Sequence, residues 1–438
     1  MADVSASVSA LPPLPPLART STRSAINILH PGYPKADDFL FSLPAVDYIV
    51  DPSSKLRIWG HHHATALIAG GIIANNAFDD VYFSFDQYGQ TPVKTPRDGI
   101  LEPGIYWLQL NSIAGSPSST PKASEYKYPI VASFADWSFP HGKLPKEWQQ
   151  PHTPPTQQDA DLSTALQAAD RCFLTDINIG LERCHLIPEA QLQWFMRNKM
   201  YRYAQASPEH KIQDPANIML LLSNIHWAFD RPLFVIVPKP STSFSSIASP
   251  STPNAPLMSI APSTPTASPK SENKPQPYAF VSHVISGTSE ARDFTDLYHN
   301  RSIQPKYFDT LKREFLFARF AWALFPYLQD FVQTTSLREL IIADGNHYVS
   351  KSLTGQQFAK LREDRGESIN GSRKRRNHDE EPTDEDFIYE ERWRWRCASR
   401  ERQLSDYDYQ DINRGWPTNR DISPLSPDSD VDEDLLGL

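Results

Sequence analysis

Cysteine is scarce, with three residues in 438. So few thiols cannot build a disulfide framework or a four-cysteine zinc site, and a reducing compartment suits the chain best. Long apolar runs are missing too. No stretch of about 18 apolar residues exists, which excludes a membrane-spanning helix. The first residues form no secretory signal, because Pro12, Pro13, Pro15 and Pro16 interrupt their only apolar stretch. Positive charge is not in excess either: 43 Lys and Arg face 52 Asp and Glu, a net charge of −9. Hydrophobic residues make up 39%, below the roughly 45–50% of compact domains. Together with a mean hydropathy of −0.48, this implies that part of the chain does not fold.

What is abundant is proline, with 39 residues, and aromatic side chains, with 10 Trp, 22 Phe and 17 Tyr. The aromatics imply a packed core, and the length accommodates two ordered domains with linkers. Residues 1–36, rich in Ala, Ser, Thr and Pro, read as a disordered arm. A small, mostly β domain is expected over 37–138. Its strands are the aromatic and β-branched runs at 81–85, 105–110 and 130–134, punctuated by Gly89, Pro96, Pro103 and Pro117. Residues 64–75 fit a helix or a buried strand equally well. Residues 139–160 form a proline-rich joint. Helical spacing follows at Leu162, Ala165, Leu166 and Ala169, a second helix is expected over 189–204, and a third from near Asn217.

Between 238 and 278, Ser, Thr and Pro supply 24 of 41 positions, too little apolar surface to offset the entropy of ordering. Strand-like runs flank it, Phe234 to Val237 and Tyr278 to Ile285, so it reads as a disordered insert within a β-hairpin. Its Ser-Pro and Thr-Pro pairs, such as Ser249-Pro250 and Thr264-Pro265, are candidate phosphorylation sites. Residues 279–335 then supply a returning strand and a helix ending at Pro326, with Phe308, Leu311, Phe315, Leu316, Phe320 and Trp322 as core. Residues 336–438 read as a charged, largely disordered tail. It carries the basic cluster at 373–376, a candidate nuclear localisation signal in an intracellular protein, and an acidic end.

The chemistry concentrates between Cys172 and Asp230. His185 lies near the end of a short strand that Pro188 terminates. Asn217 follows the loop signal Asp214-Pro215, and His226 lies on the helix beyond it. A strand-end His, a loop Asn and a helical His are the parts of a metal-assisted hydrolysis site. One imidazole acts as a base near neutral pH, an amide fixes its tautomer, and the second imidazole ligates a divalent cation. The run His61-His62-His63 is not read as a metal site, because consecutive side chains diverge. Trp194, Phe195, Tyr201 and Tyr203, among the basic residues Arg197, Lys199 and Arg202, read as core in preference to a nucleic-acid-facing helix.

Cys172-x-x-Thr175, His185-x-Ile187-Pro188, Asn217-x-x-x-Leu221 and His226-x-x-Phe229-Asp230, in that order, resemble the HNH endonuclease domain, in a variant common in fungal proteins. The resemblance covers about 171–238 and, more loosely, the hairpin and helix out to about 330. It implies an α+β chain: a mostly β domain, then a ββα-metal core at 161–237 with added helices. It also implies that His185 activates water for attack on a phosphodiester, Asn217 orients His185, and His226 binds a divalent metal, with Mg, Mn, Ni and Zn all open. Asp230 is read as structural. Family members often carry Asp, Glu or His before the catalytic His, where this chain has Cys184. A thiolate there favours zinc. Glu182, on the same strand face, is an alternative ligand.

The expected activity is hydrolysis of nucleic acid, with DNA as the partner, and the alternative is an inactive HNH-fold module that binds nucleic acid or protein. The insert and the charged tail are the surfaces expected to meet protein partners. Residues 161–240 hold eight basic and eight acidic side chains, so the core lacks the positive excess that phosphate binding favours.

Overall fold

The computed structural model describes residues 23–112, 126–149, 171–204, 212–240, 278–303, 307 and 311–365. The expectations for the first 22 residues, the helix at 162–169, the insert between 240 and 278, and the run beyond 365 with its cluster at 373–376 lie outside these residues. All described residues fall in one compact unit that ends at Ile369.

The chain opens with β1 (Ala25–Leu29), β2 (Phe39–Pro44), β3 (Asp47–Val50) and β4 (Arg57–His62), which lead into α1 (His63–Ile73). β5 (Val81–Ser84), β6 (Ile100–Leu101), β7 (Gly104–Leu110) and β8 (Ile130–Val131) follow. Next come β9 (Leu181–His185), α2 (Leu192–Arg197), β10 (Ile218–Leu222) and α3 (Ser223–Asp230). The hairpin β11 (Phe234–Pro240) and β12 (Tyr278–Val284) precedes α4 (Ser289–Tyr298) and α5 (Arg313–Leu324). β13 (Arg338–Asp344), β14 (His347–Leu353) and α6 (Gly355–Asp364) end the described chain. Helix and strand are mixed throughout, an α+β composition.

Four strands form a sheet in the order β2-β1-β7-β5, with β1 and β7 parallel. α1 lies against this sheet and is buried on every side. A helix that is apolar all round shows no amphipathic period, which is why periodicity left residues 64–75 open. Its approach depends on Gly70: a Cβ there would stand 2.6 Å from Leu108 Cδ1 on β7. One apolar core runs through the unit. Trp137 and Trp194 stack with centroids 5.7 Å apart, and Trp148 meets Phe317 of α5 at 4.9 Å. Trp148 thus packs the residues read as a proline-rich joint against α5.

Four expectations need correction. Residues 25–29 are not part of an arm: Ile26 and Ile28 are fully buried, because β1 sits between β2 and β7. Residues 338–364 are not tail. β13 pairs in parallel with β8 (Leu340 opposite Ile130), so the C-terminal strand completes a sheet begun in the N-terminal region. No helix starts at Asn217. Residues 218–222 form a strand, with Met219 and Leu221 facing the core, and the helix begins at Ser223. The helix expected over 189–204 is broken, since Lys199 takes a left-handed φ of 52° after α2 ends. β11 and β12 pair antiparallel, Phe234 opposite Val284, on either side of the insert.

Candidate functional site

β9 and β10 pair antiparallel, with Cys184 opposite Met219 and His185 opposite Ile218, and α3 follows without a break. This is a ββα unit. Side chains alternate along a strand, so Glu182 and Cys184 share one face of β9. On α3, His226 and Asp230 are four residues apart and share a stripe. The two faces meet. His226 Nδ1 lies 2.7 Å from Glu182 Oε2, and its Nε2 lies 3.1 Å from Asp230 Oδ2. Ligand atoms of Cys184, His226 and Asp230 all fall within 4.8 Å of one another.

The electrostatics follow from these contacts. With a carboxylate at each ring nitrogen, His226 is held as the imidazolium. The Asp230 hydrogen bond, then Cys184, and also Glu182 outweigh burial and push its pKa up to about 11. Burial pushes the Asp230 carboxyl up, but His226, Arg319 and His185 outweigh it and hold the group below the usual range. Cys184 is fully buried, and burial pushes its thiol up against the opposing pull of His226 and Arg319.

His185 stands beside this cluster with a fifth of its side chain exposed. Its Nε2 is 3.1 Å from Gln213 Oε1 and 3.4 Å from Glu189 Oε1. Gln213 Nε2 donates to Glu189, which turns the amide so that its oxygen faces the imidazole. Both neighbours of Nε2 are acceptors, so Nε2 carries the proton and Nδ1 carries the lone pair in neutral His185. Asn217 does not touch this ring. Fully buried, it accepts from Ile187 N at 2.9 Å and donates to Ile187 O at 3.1 Å and Ile212 O at 2.8 Å. It clamps the backbone that leaves His185, and the side chain hydrogen-bonded to the His185 ring is Gln213.

The matching finding comes from comparison with known families. Residues 165–237 match the family model described as HNH endonuclease. This segment belongs to the HNH endonuclease family. The chain matches no curated protein, and no solved structure matches it. HNH domains generally use a divalent metal, and the donor set can be tested against that need. Bonds of about 2.0–2.3 Å to a shared ion require donors within roughly 4.6 Å of one another. Cys184, His226 and Asp230 meet this with a small side-chain adjustment, so the HNH segment fits a metal. Glu182, read from sequence as an alternative ligand, hydrogen-bonds the far nitrogen of His226, the position of an outer partner that orients a ligand. Asp230, read as structural, lies in the group whose spacing could hold a metal ion. Its four-residue spacing from His226 was the available signal.

A second group, Asp47, His283 and His299, also has metal-like spacing. Its hydrogen bonds argue against an ion. His299 Nδ1 accepts from Val284 N at 3.2 Å, so its Nε2 carries the proton that it donates to Asp47 Oδ1 at 3.0 Å. The Lys239 ammonium is 2.6 Å from the same oxygen. His61 Nδ1 donates to Pro44 O at 3.0 Å, leaving its Nε2 to accept from His283 Nε2 at 3.0 Å. This network ties β3 and β4 to the β11–β12 hairpin, and of its ring nitrogens His283 Nδ1, 3.8 Å from Asp47 Oδ2, has no hydrogen-bond partner. The neighbouring rings diverge, His62 to Thr65 Oγ1 and His63 to Thr95 O. Trp194 and Phe195 are buried and Cys172 is fully buried, all three in the core.

Proposed function

We propose that this chain is a metal-dependent nuclease that hydrolyses phosphodiester bonds in nucleic acid, with DNA as the substrate. The observation that carries the reading is the convergence of Cys184, His226 and Asp230 beside His185 on a ββα unit. His185 is the general base. Its Nε2–H is committed to Gln213, so the Nδ1 lone pair takes the proton of the attacking water. Gln213 holds the tautomer, and Glu189 holds Gln213. Asn217 keeps the backbone at Leu186 and Ile187 in register with β10, which fixes where the imidazole stands. His226, Asp230 and Cys184 would hold the metal, and Glu182 would orient His226. A divalent ion held there would supply Lewis-acid stabilisation of charge on the phosphate and the leaving oxygen. The thiol in the set favours zinc over magnesium.

One observation favours a second reading, an HNH-fold binding module. Glu182 and Asp230 satisfy both nitrogens of His226 without an ion. The deciding experiment is nicking of supercoiled plasmid by the full-length protein with magnesium, manganese, nickel or zinc, beside His185→Ala. Metal-dependent nicking that the substitution abolishes is the expected result. Folded protein that nicks with no ion overturns the enzyme reading and leaves the module.

A further inference from the structure

Arg319 lies on α5, outside the segment that matches the HNH family. It is 1% exposed on a helix whose other buried residues are Phe315, Leu316, Phe317, Ala318, Phe320, Ala321, Ala323 and Leu324. A guanidinium in such a setting loses its hydration, and packing alone is served as well or better by an apolar side chain of similar volume. Something must recover that cost, and the hydrogen bonds show what.

Arg319 reaches the two halves of the site together. One terminal nitrogen, Nη2, donates to Phe229 O in the last turn of α3, where carbonyls lack donors from their own helix. The other, Nη1, reaches Leu186 O at 3.5 Å, one residue beyond His185. Nη2 also lies 3.9 Å from Asp230 Oδ1. The guanidinium carbon lies over the rings of Phe229, 3.7 Å from its centroid, and Trp322, 4.2 Å from its centroid. A planar donor pair with fixed geometry sets a distance between two acceptors, which a point charge on a flexible stem does not.

We infer that Arg319 is a positioning residue of the nuclease site: its guanidinium bridges the Leu186 and Phe229 carbonyls and so sets the base loop against the His226–Asp230 turn. This rests on the nuclease reading for its consequence, while the bridge itself does not depend on it. The chain thus completes its HNH site with a side chain supplied from beyond the insert.

The test compares the full-length protein with Arg319→Lys, which keeps the charge but cannot span both carbonyls, and with Arg319→Met, which keeps the volume. Amide hydrogen exchange of peptides covering 181–190 and 223–233 reads the bridge without metal or activity. Faster exchange in both peptides together, with 25–110 unchanged, is expected. The second readout is cobalt(II) titration, followed by its d–d spectrum and fitted for affinity. Loss of an outer partner should weaken binding by about 10–100-fold, with Lys between wild type and Met. Folded Arg319→Lys with unchanged exchange in either peptide overturns the bridge, and it stays decisive if Arg319→Met does not fold. Altered exchange with unchanged cobalt affinity and spectrum overturns the positioning role. Absence of cobalt binding by the wild-type protein counts against the nuclease reading, and the exchange result then decides the bridge alone.

Discussion

Gln213→Leu and Asn217→Ala should fail in opposite ways, because one side chain serves the base and the other serves the backbone. Gln213 makes one hydrogen bond to the His185 ring and lies on a half-buried loop. Removing it should cost about 0.5–1.5 kcal/mol of tautomer preference, a loss of up to roughly tenfold in kcat/KM. Melting should barely change. Asn217 makes three hydrogen bonds to buried backbone and none to the ring. At about 1 kcal/mol each, its loss should remove about 3 kcal/mol and lower Tm by roughly 6–12 °C. The assay is a thermal melt beside plasmid nicking, with 15N shifts of the His185 ring to read the tautomer. Asn217→Ala that abolishes nicking at unchanged Tm, with Gln213→Leu leaving the His185 ring undisturbed, would refute the assignment.

The other expectations concern metal, pH and the C-terminal strands. Asp230→Ala should weaken zinc binding in calorimetry by more than Glu182→Gln, whose cost as an outer partner should be about 10–100-fold; the reverse order would exchange their roles. Acid should destabilise the fold through histidines buried neutral, since burial lowers His30 to about 3, His61 to about 4 and His62 to about 3. Their contribution is complete above the unfolded value near 6.5 and is lost as pH falls towards the folded values, about 2 kcal/mol each by pH 5. His226, raised to about 11, keeps its contribution below 6.5 and loses it as pH rises, so it offsets this only in part. Urea midpoints that stay flat between pH 7.5 and 5 would contradict the assignment. Ending the chain at 336 removes β13, with Leu340 and Ile342 fully buried, and should abolish cooperative melting; a truncated protein with unchanged Tm would show that β8 needs no partner.

The sequence exposed the site in proportion to how local its contacts are. His185, His226 and Cys184 stand in short motifs whose spacing follows from a strand and a helix. The run Ile218 to Leu222 was misread as the start of a helix because five apolar residues carry no decisive period, and only pairing with β9 settles it. Gln213 gave no signal, since a glutamine in a loop acquires a role only where the chain brings it to His185. Arg319 was hidden in an aromatic stripe that reads as core, and most of that stripe is core. β1 and β13 were lost for a different reason. Composition averaged over a polar arm or a charged tail conceals a strand of five or seven residues, and Ile26, Ile28, Leu340 and Ile342 are buried only because distant strands lie beside them.

Long-range dependence also explains why the matched segment is smaller than the structure that holds the site. Two five-residue strands and an eight-residue helix bury too little apolar surface to stand alone. The deficit is met by α5, which packs on β11 and places Phe315 against Phe195 at 5.9 Å. The chain reaches α5 only after leaving the β11–β12 hairpin through the insert and returning. Closing a longer loop adds only about 0.6 kcal/mol per doubling of its length, and seven paired residues on each strand can outweigh that. The hairpin can therefore carry the insert without losing register, and the register delivers α5, with Arg319, to the back of the ββα unit. Chemistry read in one short segment is thus held in place by a hairpin and a helix that no motif in that segment encodes.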